Sequence, residues 1–315
     1  MSRLLRPPMV SPGGGVSVIA PASSALSERI EGGLGALRAL GFTPYPGEHA
    51  LARGPLYFAG TPEQRLADLQ AAFADERTGL VASLRGGYGS NYLLAGLDLG
   101  LIAGHPKPFF AYSDLTGTQL RLLDAIGLPA FHGPMVAADF YLEDGVHLPS
   151  FRAAIGGETY SVGQSEGLRT LKPGGARGTL YGGCLSILAS LLGTPWEPHT
   201  EGKLLFLEDR DTKPYQVDRL LWQLRVAGKL DGVRGIVFGE MPGCVSPGAP
   251  TGLLDETILG FFEGFDGPIA IGLRSGHVSH GNVTLTFGVE AELSAEGEPR
   301  LQLLEPAVRT TEARE

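Results

Sequence analysis

The sequence predicts an α/β protein of two domains: an N-terminal α/β domain with mostly parallel strands and a strand-rich α/β C-terminal domain. Three observations carry this expectation. In the first half, short apolar runs closed by glycine or proline alternate with helical stripes. Over residues 148–178 the alternation is lost. Beyond that stretch, apolar runs outnumber helical stripes.

Taken in order, "VSVIAP" (16–21) is rich in β-branched residues and ends at proline, which suits a buried strand. Residues 24–41 place Leu34, Leu37 and Leu40 at helical spacing, with Gly41 as a stop. "TPEQRLADLQAAFAD" (61–75) is the clearest helix. Thr61 can cap it, Pro62 suits its first position, and Gln64 completes a capping box. "GLVASLRGG" (79–87) and "PFFAYSD" (108–114) read as strands, and 116–127 as a helix. Residues 148–178 read as a linker or crossover. In the second half, "KLLFLED" (203–209) is a strand, and 213–228 a helix with Val217, Leu220, Leu221 and Leu224 in a stripe. "RGIVFGE", "GPIAIGL", "NVTLTFG" and "RLQLLEP" follow as strands. The expected division is a domain over 1–150, a linker or crossover over 151–177, and a domain over 178–315.

The 315 residues are 43% hydrophobic and 19% charged, enough to bury a real core. The net charge of −9 argues against a nucleic acid partner, which calls for a basic surface. Two cysteines, Cys184 and Cys244, make no disulfide framework and have no metal-ligand spacing. The N-terminus has no signal-peptide core, and no run reaches the roughly 20 apolar residues of a membrane helix. A cytoplasmic location and no membrane partner are expected.

Ser113 lies where a strand gives way to a helix. A serine on such a turn can project its hydroxyl while the N–H groups at the helix start face the same space. Position alone favours the plainer role, in which Ser113 or Asp114 caps the helix. The G-x-S-x-G pattern is missing, because Ala111 and Leu115 stand where its glycines would be. "SLRGGYGSN" (83–91) ends the preceding strand in glycines. It is either a tight turn or a donor of an oxyanion hydrogen bond, with the N–H of Gly87 the candidate. "LLFLEDRD" (204–211) ends a strand in acids. A solvated strand end is the plainer expectation, and an acid orienting a histidine the functional one. His277 and His280 share a glycine-bounded loop, but their spacing and the lack of a third ligand argue against a metal. Cys184 follows two glycines at a helix start, where a thiol can be activated. Packing as a small hydrophobe is the favoured role.

Each signal is modest alone. Together, and in this order, they resemble the LD-carboxypeptidases, which include muramoyltetrapeptide carboxypeptidases and microcin C immunity peptidases. The matching motifs are "RGGYG" (85–89), "YSDLT" (112–116), "HGP" (132–134), "GG-x-L-S" (182–186), "LFLED" (205–209) and "GH" (276–277) followed by "TLTFG" (284–288). As quoted they run from Arg85 to Gly288.

The resemblance implies a serine peptidase with Ser113 as nucleophile, Glu208 as acid and His277 as base. The oxyanion hole would use the backbone N–H groups of Gly87 and Asp114. It further implies release of a C-terminal D-amino acid from an L-residue, a small peptide as substrate, no cofactor or metal, and a homodimer. An exopeptidase must hold a free carboxylate, and Arg85 and Arg274, beside the site motifs, are the candidates. Against the family pattern, Ala111 replaces a glycine, Cys184 an asparagine and Thr286 a proline. The rivals are a microcin-immunity-type peptidase acting on adenylates, an α/β-hydrolase esterase, and a non-catalytic peptide- or sugar-binding module.

Overall fold

The computed structural model describes residues 4–11 and 13–309. The first residues of the N-terminal stretch read for a leader, and the last of the C-terminal domain, lie outside them. The chain divides into two compact units. Of the described residues, the first comprises those up to Glu158, Thr284–Gly288 and 306–309; the second comprises Thr159–Val283 and Val289–Glu305.

The first unit runs β1 (Gly15–Ile19), α1 (Ser27–Ala39), β2 (Thr43–Pro46), α2 (Pro62–Ala74), β3 (Thr78–Ser83), α3 (Leu99–Gly104), β4 (Phe109–Ala111), α4 (Thr116–Ile126), β5 (Ala130–His132) and α5 (Leu148–Gly156). The second unit holds β6 (Ser161–Gly163), β7 (Arg169–Lys172), β8 (Gly175–Cys184), α6 (Leu185–Ser190), β9 (Lys203–Glu208), α7 (Pro214–Val226), β10 (Gly235–Gly239), α8 (Leu253–Phe261) and β11 (Ile269–Leu273). The chain then returns to the first unit for β12 (Leu285–Phe287), and to the second for β13 (Glu290–Ser294) and β14 (Arg300–Leu303).

The first sheet has the order β12-β5-β4-β3-β1-β2. Its pairs are parallel except β12, which runs antiparallel to β5. Parallel strands covered on both faces read as unbroken apolar runs. Phe109, Phe110 and Ala111 of β4 are accordingly all buried. The edge strand β2, "TPYP", carries two prolines, which remove N–H donors and blunt the edge against further pairing. The capping box of α2 forms as the sequence predicts. Thr61 Oγ1 accepts the Gln64 N–H at 3.3 Å, and Gln64 Oε1 accepts the Thr61 N–H at 2.9 Å.

The second sheet has the order β6-β14-β13-β8-β9-β10-β11-β7. Its centre, β8-β9-β10-β11, is parallel, and the strands at either side are antiparallel. All six residues of β9 are buried. Residues 148–178 hold α5, β6 and β7 and the start of β8, so the stretch read as a linker is largely regular structure. No helix of the described residues is long and apolar enough to cross a membrane.

Candidate active site

Ser113 follows β4 at the start of a short 3₁₀ turn, Ser113–Leu115, that leads into α4. Its φ is +64°, in the left-handed region that a residue with a side chain enters only at a cost of order 1–3 kcal/mol. Neither Ser113 nor Asp114 caps the helix: no side-chain cap hydrogen bond is made at the start of the turn or of α4. The plainer expectation for Ser113 is therefore corrected. What distinguishes the residue is its backbone.

The Asp114 carboxylate is turned elsewhere. It accepts the Ser90 N–H at 2.8 Å, and Ser90 Oγ donates back to the Asp114 carbonyl at 2.7 Å. Burial pushes the Asp114 carboxyl up, against the pull of the Ser90 and Gly89 donors and of Arg65. These bonds tie the Ser113 turn to the end of the R-G-G-Y-G loop.

The other end of that loop reaches the turn through Gly86. A Cβ there would stand 2.9 Å from Ser113 Cβ and 3.1 Å from Ser113 Oγ. Gly87 has φ +105°, and a Cβ on it would meet Ser23 Oγ at 2.3 Å. Ser23 holds the loop in turn: its N–H donates to the Gly86 carbonyl, and its Oγ accepts the Tyr88 N–H. Beneath, buried Arg65 donates from Nη1 to the carbonyls of Pro21 and Gly89, each at 2.7 Å. Arg85 is exposed. Gly86 and Arg65 are the residues sequence reasoning missed here. Only the doubled glycine of "RGGYG" carried a signal for the first.

In the second unit, Glu208 ends β9 and is fully buried, so the solvated-end expectation is corrected. Glycines make its place. A Cβ on Gly182 would lie 1.9 Å from the Phe206 carbonyl oxygen, and one on Gly239 would lie 2.6 Å from Glu208 Cβ. Glu208 Oε2 takes both the His277 backbone N–H at 3.0 Å and Nδ1 at 2.7 Å. A carboxylate only accepts, so Nδ1 carries the proton and Nε2 is the basic nitrogen. Burial pulls the His277 imidazole down, but the Glu208 charge and hydrogen bond outweigh it and hold the group above its ordinary value.

Asp209, the next residue, is also buried. Its carboxylate accepts the Ser186 N–H at the start of α6 and the Arg210 N–H, both at 2.9 Å. Cys184 pairs with Glu208 across β8 and β9. Burial pushes its thiol well up, and Glu208 and Asp209 add to that, which is the reverse of an activated nucleophile. Arg274 donates from Nη2 to the Ser165 carbonyl at 2.7 Å, the structural role of an arginine on a loop. His280 Nδ1 lies 3.0 Å from Ser279 Oγ. Among the described residues no group of three or more His, Cys, Asp or Glu is placed to hold a metal ion.

The LD-carboxypeptidase N-terminal domain model matches residues 16–133, and the C-terminal domain model residues 177–293. The chain belongs to the LD-carboxypeptidase family. It is a serine carboxypeptidase by that membership, hence a hydrolase. It is 38% identical over 295 residues to the probable murein peptide carboxypeptidase of Bacillus subtilis, covering 92% of this chain and 91% of that one. It is 35% identical over 278 residues to the murein tetrapeptide carboxypeptidase of Pseudomonas aeruginosa, covering 84% and 88%. A crystal structure of an MccF-like protein of Bacillus anthracis superposes with a TM-score of 0.87 at 26% identity, over 95% of this chain and 99% of that one.

Proposed function

We propose that this LD-carboxypeptidase uses Ser113, Glu208 and His277 as a catalytic triad to release the terminal D-alanine of a murein tetrapeptide in peptidoglycan recycling. The observation that carries the reading is Ser113 itself, a residue with a side chain held at φ +64° between a parallel strand and a helix. Ser113 Oγ attacks the carbonyl of the L-residue, and His277 Nε2 takes its proton. Glu208 keeps the imidazole in the productive tautomer and stabilises the imidazolium. The N–H groups of Gly87 and Asp114 bind the oxyanion, where one donor is typically worth about 2.7–4 kcal/mol. The imidazolium protonates the departing D-alanine amine, and water then releases the acyl group by the reverse sequence. No step calls for a metal or a cofactor.

Of the two arginines proposed for the substrate carboxylate, exposed Arg85 is the stronger, because Arg274 is engaged with the Ser165 carbonyl. Homodimer formation and a cytoplasmic location rest on the family resemblance and the sequence. The murein substrate is favoured over a microcin-type adenylate by the 38% and 35% identities to murein peptidases, set against 25% to the microcin C7 self-immunity protein MccF.

The test is incubation with L-Ala-γ-D-Glu-meso-diaminopimelate-D-Ala beside an aminoacyl-sulfamoyl adenylate, scoring product masses. Loss of one D-alanine from the peptide is expected, and folded Ser113→Ala should release none. Unchanged turnover in that variant removes Ser113 as nucleophile.

A further inference from the structure

His277 is carried by the loop that joins β11 to β12. Its base is closed by two hydrogen bonds: the Val283 N–H donates to the Arg274 carbonyl at 2.7 Å, and Ser275 Oγ donates to the Val283 carbonyl at 2.8 Å. Inside that closure lies Asn282, fully buried. Its Oδ1 accepts the Gly276 N–H, and its Nδ2 donates to the Gly276 carbonyl, both at 3.0 Å. One side-chain amide thus satisfies both main-chain groups of a single residue. Gly276 has φ +86°, so its two polar groups are presented by a backbone that favours glycine.

The Gly276 carbonyl and the His277 N–H belong to the same planar peptide unit. Asn282 grips one edge of that plane, and Glu208 Oε2 accepts from the other edge at 3.0 Å. The same Glu208 oxygen meets His277 Nδ1 at 2.7 Å. A donor on the carbonyl polarises the peptide and strengthens its N–H as a donor. An amide is suited to this place because it offers an acceptor and a donor side by side. A carboxylate offers no donor, and a hydroxyl reaches one of the two groups.

We propose that Asn282 is the positioning residue of the Glu208–His277 pair, fixing and polarising the Gly276–His277 peptide whose N–H binds Glu208. The proposal rests on the triad reading above for its consequence in turnover. The charged groups acting on His277 are Glu208, Asp209 and Arg210. Glu240, just after β10, is a further acid facing this loop, where it accepts the Ser279 N–H at 2.9 Å. Asn282 is uncharged, so its removal acts on the imidazole through the Glu208 contact.

The experiment uses the full chain and three variants, Asn282→Ala, Asn282→Ser and Ser275→Ala. It reads kcat and KM for D-alanine release, thermal stability, and titration of the His277 imidazole by NMR. Asn282→Ala should lower kcat by about 100-fold, the cost of a misplacement of about 1 Å, with KM within about twofold. The His277 titration should move down, because burial remains while the Glu208 contact slackens. Asn282→Ser, which can keep one of the two bonds, should move kcat and the titration the same way by less, and it carries the test if the alanine variant does not fold. Ser275→Ala removes a bond of the same loop and should lower stability without moving the titration.

An unmoved titration in both Asn282 variants, with a stability loss like that of Ser275→Ala, overturns the proposal and leaves Asn282 as loop structure. Titration needs no substrate. If Ser113→Ala stays active, the triad reading fails while the titration still decides the role of Asn282.

Discussion

Ser113 itself is set by its main-chain conformation, with side chains bracing only its neighbours, whereas His277 is gripped directly by a side chain. Ser113 is held at φ +64° by a strand that ends beneath it and by Gly86, whose missing side chain leaves room for Ser113. No side chain caps the turn, and the Asp114 carboxylate is spent on Ser90. His277 is fixed by a buried carboxylate that takes two of its N–H groups, and by an amide that grips the preceding residue. The difference follows from what each group is proposed to do. A nucleophile needs a direction, which backbone dihedrals set. A base needs a direction and a proton affinity, and here a neighbouring charge and its hydrogen bond raise the second against burial.

The largest expected effect breaks the side-chain half. Glu208→Gln keeps the size of the acid and removes its charge. It should cost about 10⁴ in kcat, the scale of losing the acid of a triad. It should also move the acid limb of kcat/KM to lower pH. His277 is held above its ordinary 6.5 because Glu208 outweighs burial, and without that charge burial prevails. The stability sign follows. A raised folded value means the pair stabilises fully below 6.5, and that contribution is lost as pH rises through the folded value. The melting-temperature gap between wild type and Glu208→Gln should therefore be wider at pH 5.5 than at pH 8, two values on the scale of histidine titration. A limb that stays in place would separate Glu208 from the titration of His277.

Next in size is the main-chain half. In Gly86→Ala the new methyl would sit 2.9 Å from Ser113 Cβ, closer than such carbons approach, so the turn must give. A shift of about 1 Å at a nucleophile costs about 10²-fold. The expected result is a folded protein with that loss in kcat and an unmoved acid limb, since no charge near His277 changes. A moved limb would mean that the two halves are not held by separate means.

The two halves also differ in how much of them the sequence displayed. Buried parallel strands announce themselves because both faces are apolar: "KLLFLE" and "GIVFG" are buried throughout. Glu208 showed only as a charge at the end of such a strand and His277 only as a histidine between glycines, and it was the family resemblance that joined the two. The Ser113 turn was obscure, because Ala111 and Leu115 occupy the places where a nucleophile turn usually shows glycine. The space came instead from Gly86, distant in sequence and next to Ser113 only once β3 and β4 lie side by side. The stretch 148–178 misled for another reason. Pro149 and Gly157 bracket a real helix, but the strands after it are three or four residues long and partly exposed, so their alternation does not register. That β12 joins the first sheet is a long-range pairing with β5, and its own three residues cannot name their partner.

The smallest expected effect sharpens the comparison at Asp114, the charged residue within the Ser113 turn. If that turn is held by hydrogen-bond geometry alone, its charge should be dispensable. Burial already disfavours the Asp114 carboxylate and pushes its pKa up. The native state therefore binds the proton more readily than the unfolded chain, and the charge costs stability above the ordinary value of 3.8. Asp114→Asn keeps an oxygen for the Ser90 N–H and drops the charge that burial disfavours, while it gives up the attraction of the Gly89 donor and of Arg65, so gain and loss nearly offset. Thermal stability should stay within about 1 kcal/mol of wild type, and kcat within about tenfold, because the Asp114 N–H remains in place. Asp114→Ala leaves the Ser90 N–H without its acceptor and should cost about 1–3 kcal/mol. An asparagine variant as damaged as the alanine one would show that the charge itself, and not the shape of the bond, holds the turn. The main-chain half would then depend on electrostatics as the His277 loop does.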